Sequence, residues 1–241
     1  FRKSKTLDKY FKDQFMDFNS YVIPGFRQPG VNCGRPIAGI AQLSRSNIAI
    51  RKDRVMCNSN RIQAQVLNFS ATRLLWLNAY LPTDPQTAGY DEAELLEVLA
   101  QIEAVLDTTE YDDVLICGDM NWDMSRQTGF AVTVRRFLDR LNLHSVWETH
   151  NIDFTHVHTH FKTLSTIDHF ICNERLLHLV SDCAPVHLGD NPSRHSPIVL
   201  KLNIGALPIR IKFNPVRPKR PAWYKASETQ TARYSETLTQ K

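Results

Sequence analysis

Apolar residues recur along this chain with two different periods, and the change of period divides it. Leu7, Phe11 and Phe15 fall at i, i+4 and i+8 among Lys and Asp, which predicts an amphipathic first helix. From Ser20 to Leu81 the apolar runs become short and strand-like. Tyr21-Val22-Ile23 stops at Pro24-Gly25, Ile37 to Ala41 follows a Gly/Pro-rich loop, and Asn47 to Ile50 is a further short piece. Arg61 to Leu67 and Arg73 to Leu81 flank Asn68-Phe69-Ser70-Ala71-Thr72, the pattern of a β-hairpin. A helix is predicted over Asp91 to Leu106. Leu95, Val98, Leu99, Ile102, Val105 and Leu106 line its inner face, while Asp91, Glu92 and Glu94 suit its positive N-terminal end. Val114-Leu115-Ile116-Cys117 reads as a strand buried on both faces. A second helix over Gly129 to Leu141 turns Phe130, Val134, Phe137, Leu138 and Leu141 inward. Strands return at Thr166 to Cys172, Ala184 to Leu188 and Ser196 to Ile204. Hairpins mixed with a few long helices predict an α+β sandwich over residues 1–204, two sheets packed together with helices outside.

Composition adds a boundary to this picture. The apolar share of 42% and charged share of 22% are ordinary for a globular chain, and no apolar run is long enough to span a bilayer. From Gly205 to Lys241 eight Lys/Arg face only Glu228 and Glu236, so a net charge of +6 there leaves residues 1–204 near −2 of the total +4. Pro208, Pro215, Pro218 and Pro221 interrupt this basic stretch, which therefore reads as a linker suited to contact with a polyanion. The five cysteines, Cys33, Cys57, Cys117, Cys172 and Cys183, are odd in number, widely spaced and without a CxxC pair. Neither a disulfide framework nor a zinc knot fits them, and a reducing intracellular compartment is expected.

Polar residues that end apolar strands lie at the rim of a sheet, where ligand sites gather. Four places qualify here. Asn78 and Tyr80, in Trp76-Leu77-Asn78-Ala79-Tyr80-Leu81-Pro82, share a strand face by period-2 alternation. Asp119 and Asn121 do the same in Gly118-Asp119-Met120-Asn121, pairing an anionic oxygen with an amide. Asp168 sits inside the otherwise apolar Ser165-Thr166-Ile167-Asp168-His169-Phe170, a costly place unless it is paired or metal-bound. His195, in Ser193-Arg194-His195-Ser196-Pro197, is its expected partner, and the pairing would orient the ring and raise its basicity. Each signal alone also fits a structural turn, strand end or lone histidine.

Taken in order, these four segments resemble the endonuclease/exonuclease/phosphatase superfamily, whose strands end in N-x-Y, G-D-x-N, S-x-I-D and S-D-H. The resemblance is closest to the apurinic/apyrimidinic-endonuclease-like domain of non-LTR (LINE-type) retrotransposons. Arg35 to Ala41 is similar to that domain's Gly-rich "RGGVAI" strand, Ser165 to Phe170 to its "SKIDHI" segment, and Pro221-Ala222-Trp223-Tyr224 to the connector that leads toward the reverse transcriptase. The resemblance implies a DNase-I-like four-layer α/β sandwich and Mg²⁺- or Mn²⁺-dependent nicking of DNA phosphodiester bonds for target-site cleavage. It also implies a place in a longer polyprotein with a reverse transcriptase, and a nuclear location. By the same resemblance Asp119 would orient or deprotonate the attacking water, and Asn121 would steady the phosphoryl oxygens. His195, with Asp168, would contact the scissile phosphate, and Asn78 and Tyr80 would hold the phosphate or the network around it. Ser165, Arg194 and Thr155 would add substrate contacts, with Asp119 and His195 near the metal. Hard oxygen ligands and the lack of a Cys/His cage favour Mg²⁺ or Mn²⁺ over Zn²⁺.

Two departures from the family pattern predict little or no nicking by this polypeptide on its own. The family's first strands, one ending in the "QE" Glu that is its principal metal ligand, would precede Leu7 and are not in the sequence; their loss would leave a gap in the sandwich. Arg194 also stands where the family has the Asp of S-D-H, a permanent cation in place of an anion. The remaining readings are a lipid or inositol phosphatase of the same superfamily and a non-catalytic nucleic-acid-binding remnant. His156-Val157-His158-Thr159-His160 places imidazoles on one strand face, but a solvated or DNA-facing hairpin is the expectation there rather than a metal site.

Overall fold

Alternating apolar residues in the middle of the chain assemble one large sheet, and everything else is arranged around it. The computed structural model describes Tyr10 and residues 13–25, 39–47, 50–57, 59–69, 72–84, 92–158, 162–204, 227 and 229. The strands are β1 (Phe18–Ile23), β2 (Ile40–Arg45), β3 (Arg51–Val55), β4 (Ile62–Asn68), β5 (Arg73–Ala79), β6 (Asp113–Asp119), β7 (Leu143–Ser145), β8 (His156–Val157), β9 (Leu164–Ser165), β10 (Asp168–Asn173), β11 (Val180–Pro185) and β12 (Ile198–Leu202). The helices are α1 (Ala93–Thr108), α2 (Gly129–Arg140) and the short α3 (Glu174–Leu177), with a 3₁₀ turn at Val146–Glu148.

The central sheet has six strands in the order β3-β4-β5-β6-β10-β7. Only β5 and β6 run parallel, as a strand–helix–strand crossover through α1 requires. One face of this sheet is sealed. Leu75 and Leu77 of β5, Val114 and Ile116 of β6 and Ile62 and Ala64 of β4 alternate toward α1 and α2, which supply Leu95, Val98, Ile102, Phe130 and Val134 to the same cluster. Thr128 starts α2 by accepting the Ala131 amide on its hydroxyl, a side-chain N-cap.

The opposite face carries Leu74, Trp76, Leu115, Phe170 and Cys172 and is covered in two pieces. The antiparallel pair β1–β2 lies over β4 and β5, and the antiparallel pair β11–β12 lies over β10. Among the described residues the two pairs share no ladder, so the second sheet is present as separate halves. The α+β class and the flanking helices match expectation.

Several boundaries move. The strand expected at Ile37 to Ala41 is found at Ile40–Arg45, with Ile37 and Ala38 outside the described residues. The piece expected at Asn47 to Ile50 gives way to β3, which begins at Arg51. β10 begins at Asp168 rather than Thr166, and β11 (Val180–Pro185) starts before the expected Ala184 to Leu188 segment and overlaps it only at Ala184 and Pro185. Tyr10, Asp13 and Gln14 are helical, while Leu7 and Phe11 of the first expected helix lie outside the described residues. The same holds for the Arg35-Pro36 segment, His160 and the Pro221 to Tyr224 connector. The four described cysteines are free thiols. The chain divides into two units, Phe1–Arg210 and Ile211–Lys241. In the second, the Ser227 and Thr229 hydroxyls lie 2.9 Å apart. No helix among the described residues is long and apolar enough to cross a membrane.

Candidate functional site

The strand register brings the expected acidic residues face to face. β6 and β10 run antiparallel with Asp119 opposite Asp168 and Gly118 opposite His169. Gly118 has φ +135°, and a Cβ there would lie 2.0 Å from the Ala79 carbonyl oxygen, so only glycine lets β5 and β6 close at this level. Two carboxylates on paired strands repel each other. Burial first, and then the Asp168 charge, push the Asp119 carboxyl up to about 6, although the Asn121 amide and His195 pull it down. This is a carboxylate short of positive charge.

His195 supplies part of it. Its Nδ1 lies 2.9 and 3.2 Å from the two Asp168 carboxylate oxygens. That hydrogen bond raises the imidazole's basicity; burial and Arg194 oppose it, while the Asp119 charge adds to it. The loop carrying His195 is laced to the β8 hairpin. His156 and His195 form a β-bridge, the Val157 amide donates to the Arg194 carbonyl at 3.0 Å, and the Ser196 amide donates to the Thr155 carbonyl at 2.7 Å. The His156 ring packs on the His195 ring with centroids 4.6 Å apart. A cavity of about 430 Å³ opens beside the pair, lined by Asn78, Gly118, Asp168, Phe170, Asn191 and His195 among others.

The other expected residues divide. Asn78 reaches the cavity wall. Tyr80 lies just past β5, its ring 5.1 Å beneath the Arg61 guanidinium. Asn121 does not share a strand face with Asp119, because β6 ends at Asp119 and Asn121 turns into the left-handed region at φ +46°. Its amide nitrogen donates to the Leu81 carbonyl at 2.9 Å, and its backbone N–H donates to Asp119 Oδ1 at 3.0 Å. Ser165 is buried, with its hydroxyl 3.3 Å from His156 Nδ1. Arg194 is exposed beside His195. Thr155 corrects the expectation of a substrate contact. It is fully buried, and its hydroxyl accepts the Ile167 and Asp168 amides at 3.0 and 3.1 Å, so it braces Asp168 and has no surface to offer a substrate.

Sequence reading missed three supports. Asp123 accepts from Ser125 and from the Thr166 amide, tying the loop after β6 to the entry of β10. His169 is fully buried against the Trp122 ring and bonds Ser145 and the Trp122 carbonyl. Arg61 grips Tyr80. The Asp-x-x-x-Asp spacing from Asp119 to Asp123 was the only available hint of the first.

Among the described residues one group has the makings of a cation site. Ligand atoms of Asp119, Asp168 and His195 all lie within 4.8 Å of one another. The two hard carboxylates suit Mg²⁺ or Mn²⁺, and the raised Asp119 carboxyl marks a place where positive charge would relieve repulsion. The set is sparse, however, and Asp168 already engages His195.

No family model matches the chain, and no curated protein matches it. Solved structures do. The endonuclease domain of TRAS1, a telomere-specific non-LTR retrotransposon, superposes with a TM-score of 0.59 at 16% identity, covering 78% of this chain and 81% of that one. The AP endonuclease LMAP from Leishmania major matches with a TM-score of 0.55 at 12% identity over 83% of this chain and 82% of its own. An AP endonuclease from Archaeoglobus fulgidus matches with a TM-score of 0.55 at 14% identity over 83% and 94%. At these identities the likeness establishes a shared fold, the DNase-I-like α+β arrangement of endonuclease/exonuclease/phosphatase-type proteins.

Proposed function

We propose that Asp119, Asp168 and His195 form the centre of a divalent-metal-assisted phosphodiester hydrolase that nicks DNA, with slow turnover in this chain. The observation that carries this reading is the meeting of two carboxylates on paired strands with an imidazole held by one of them, beside an open cavity. Asp119 and Asp168 would hold the cation, with His195 adjoining. When bound, the cation supplies charge to offset what develops on the phosphoryl oxygens. The protein's own groups do the rest. Asp119 would also orient the attacking water; its carboxyl is raised to about 6 in the metal-free site, and a bound cation would lower it. The imidazole, held by Asp168 and raised in basicity by it, would donate a hydrogen bond to the phosphate. Arg194, exposed alongside, offers a fixed cation to a neighbouring phosphate. Asn121 acts by fixing the Tyr80–Leu81 step to the Asp119 loop.

Slow turnover follows from the sparse ligand set. The likeness to the TRAS1 endonuclease domain supports DNA as substrate. Target-site cleavage within a retrotransposon polyprotein, with work in the nucleus, is proposed on the resemblance of the sequence motifs alone. A second reading is removal of terminal phosphates. It is favoured by the likeness to NExo from Neisseria, a 3′ phosphatase bound to product DNA hairpin, with a TM-score of 0.58 at 14% identity.

The test is conversion of supercoiled plasmid to open circle in Mg²⁺ or Mn²⁺, run beside release of phosphate from a 3′-phosphorylated oligonucleotide. Slow nicking that disappears in Asp119→Ala supports the first reading, and phosphate release without nicking supports the second. Nicking that persists in Asp119→Ala or without divalent cation sinks both.

A further inference from the structure

Arg61 carries a nearly buried positive charge next to the site, with only 9% of the residue exposed. It holds Tyr80 at three points. Its carbonyl accepts the Tyr80 amide at 2.9 Å, its Nη1 donates to the Tyr80 carbonyl at 3.4 Å, and its guanidinium carbon lies 5.1 Å from the centroid of the phenol ring. At its other end Nη2 donates to Glu94 Oε1 of α1 at 2.6 Å. The grip continues one residue on. The Leu81 amide donates to the Asp119 carbonyl at 3.0 Å, and the Leu81 carbonyl accepts from Asn121 Nδ2 at 2.9 Å. All four backbone polar atoms of Tyr80 and Leu81 are therefore taken, two by Arg61 and two by the loop that carries Asp119.

A guanidinium in this place is hard to explain by stability. Its ion-pair partner Glu94 has a side chain 59% exposed against 11% for Arg61, so the pair is anchored at one end only. An apolar side chain of similar volume commonly replaces such a buried cation at no loss of stability. What Arg61 provides instead is geometry, because a planar fork can meet a carbonyl, a ring face and a carboxylate at once, and an ammonium cannot.

We propose that Arg61 is a positioning residue for Tyr80. It fixes the plane of the phenol ring and the path of the Tyr80–Leu81 step, and through Leu81 it holds the Asp119 carbonyl at the rim of the site. Its consequence for turnover rests on the hydrolase reading above; the positioning itself does not.

The test uses the whole chain with ¹³C-labelled tyrosine rings, the Tyr80 signal being identified by its loss in Tyr80→Phe. In Arg61→Met the Tyr80 ring signal moves and its two edges average, the Leu81, Met120 and Asn121 amides shift, and the signals of the other tyrosines stay in place. Arg61→Lys restores little of the original spectrum. A folded Arg61→Met with the Tyr80 signal unmoved overturns the proposal. If Arg61→Met does not fold, Glu94→Gln carries the same readout, with a smaller displacement of the Tyr80 signal expected and none overturning it. Where the parent chain nicks plasmid, Arg61→Met lowers the rate on the order of tenfold with little change in KM, as loss of positioning rather than of binding requires. A parent chain that neither nicks plasmid nor releases the 3′-phosphate refutes the hydrolase reading, and the ring signal then decides Arg61 alone.

Discussion

On one face of the central sheet Ile62, Leu75, Leu77 and Ile116 meet Leu95 and Phe130, and none of these is more than 2% exposed. On the other face Trp76 and Phe170 remain partly exposed beneath a cover that comes in two pieces. Buried polar atoms without a partner occur on both sides: Gln101 Oε1 of α1 and Trp122 Nε1 lie on the helix side, and the second side has its own. Gln42 Nε2 and Gln63 Oε1 are buried there without a partner, and Trp76 turns its indole N–H to the Cys117 sulfur at 3.1 Å. Asp119 and Asp168 meet at its rim. One face holds the fold together, and the other holds the chemistry at some expense to stability. Sites built for catalysis carry such strain.

The largest effect expected from this contrast is on the sealed face. Leu77→Ala should destabilise by about 2–5 kcal/mol in urea unfolding, because it empties a fully buried place between sheet and helices. Phe170→Ala, on the open side, should cost less than about 2 kcal/mol despite its larger side chain. Equal losses would break the distinction between the faces.

Next comes Asp119. Its folded value of about 6 lies above the ordinary 3.8, so the stability linked to its protonated form is complete below about 3.8 and is lost as pH rises through about 6. Asp119→Asn should therefore stabilise the metal-free protein by about 1–3 kcal/mol at pH 7.5, with the gain fading as pH falls toward 4. Thermal unfolding across that range checks it, and a destabilised Asp119→Asn would remove the strain from the account.

The smallest effect belongs to Gln63→Met. It removes an unpartnered acceptor but also the bond from Gln63 Nε2 to the Tyr21 carbonyl at 2.8 Å, so the two changes should cancel to within about 1 kcal/mol. A loss of several kcal/mol would show that the polar layer between the β1–β2 pair and β4 is a stabilising network.

Much of this contrast was legible in the sequence, and the parts that were not share a cause. The β4–β5 hairpin, α1 and α2 announce themselves by the regular stripe each buries, and β6 by being apolar on both faces. The Asp168–His195 pair was readable because a carboxylate at the head of an apolar strand, half-buried, needs a counterpart. β3 was missed because Arg51-Lys52-Asp53-Arg54 has no apolar alternation, as an edge strand needs none. Asn121 was misread because period-2 alternation was extended past the last residue of the strand. Thr155 and Arg61 lay beyond reach, since each owes its role to a contact with a distant segment: Thr155 with the Asp168 amide, Arg61 with Tyr80 and Glu94.

The most direct test of the central claim is a Mn²⁺ titration followed by electron paramagnetic resonance on the parent chain and on Asp119→Asn. The parent should take up a single Mn²⁺ with affinity on the order of millimolar, as sparse carboxylate sites do, and release it to Mg²⁺. Asp119→Asn should take up none in that range. Equal uptake by both proteins, or none by either, would contradict the assignment of Asp119 and Asp168, with His195 adjoining, as the metal-binding centre.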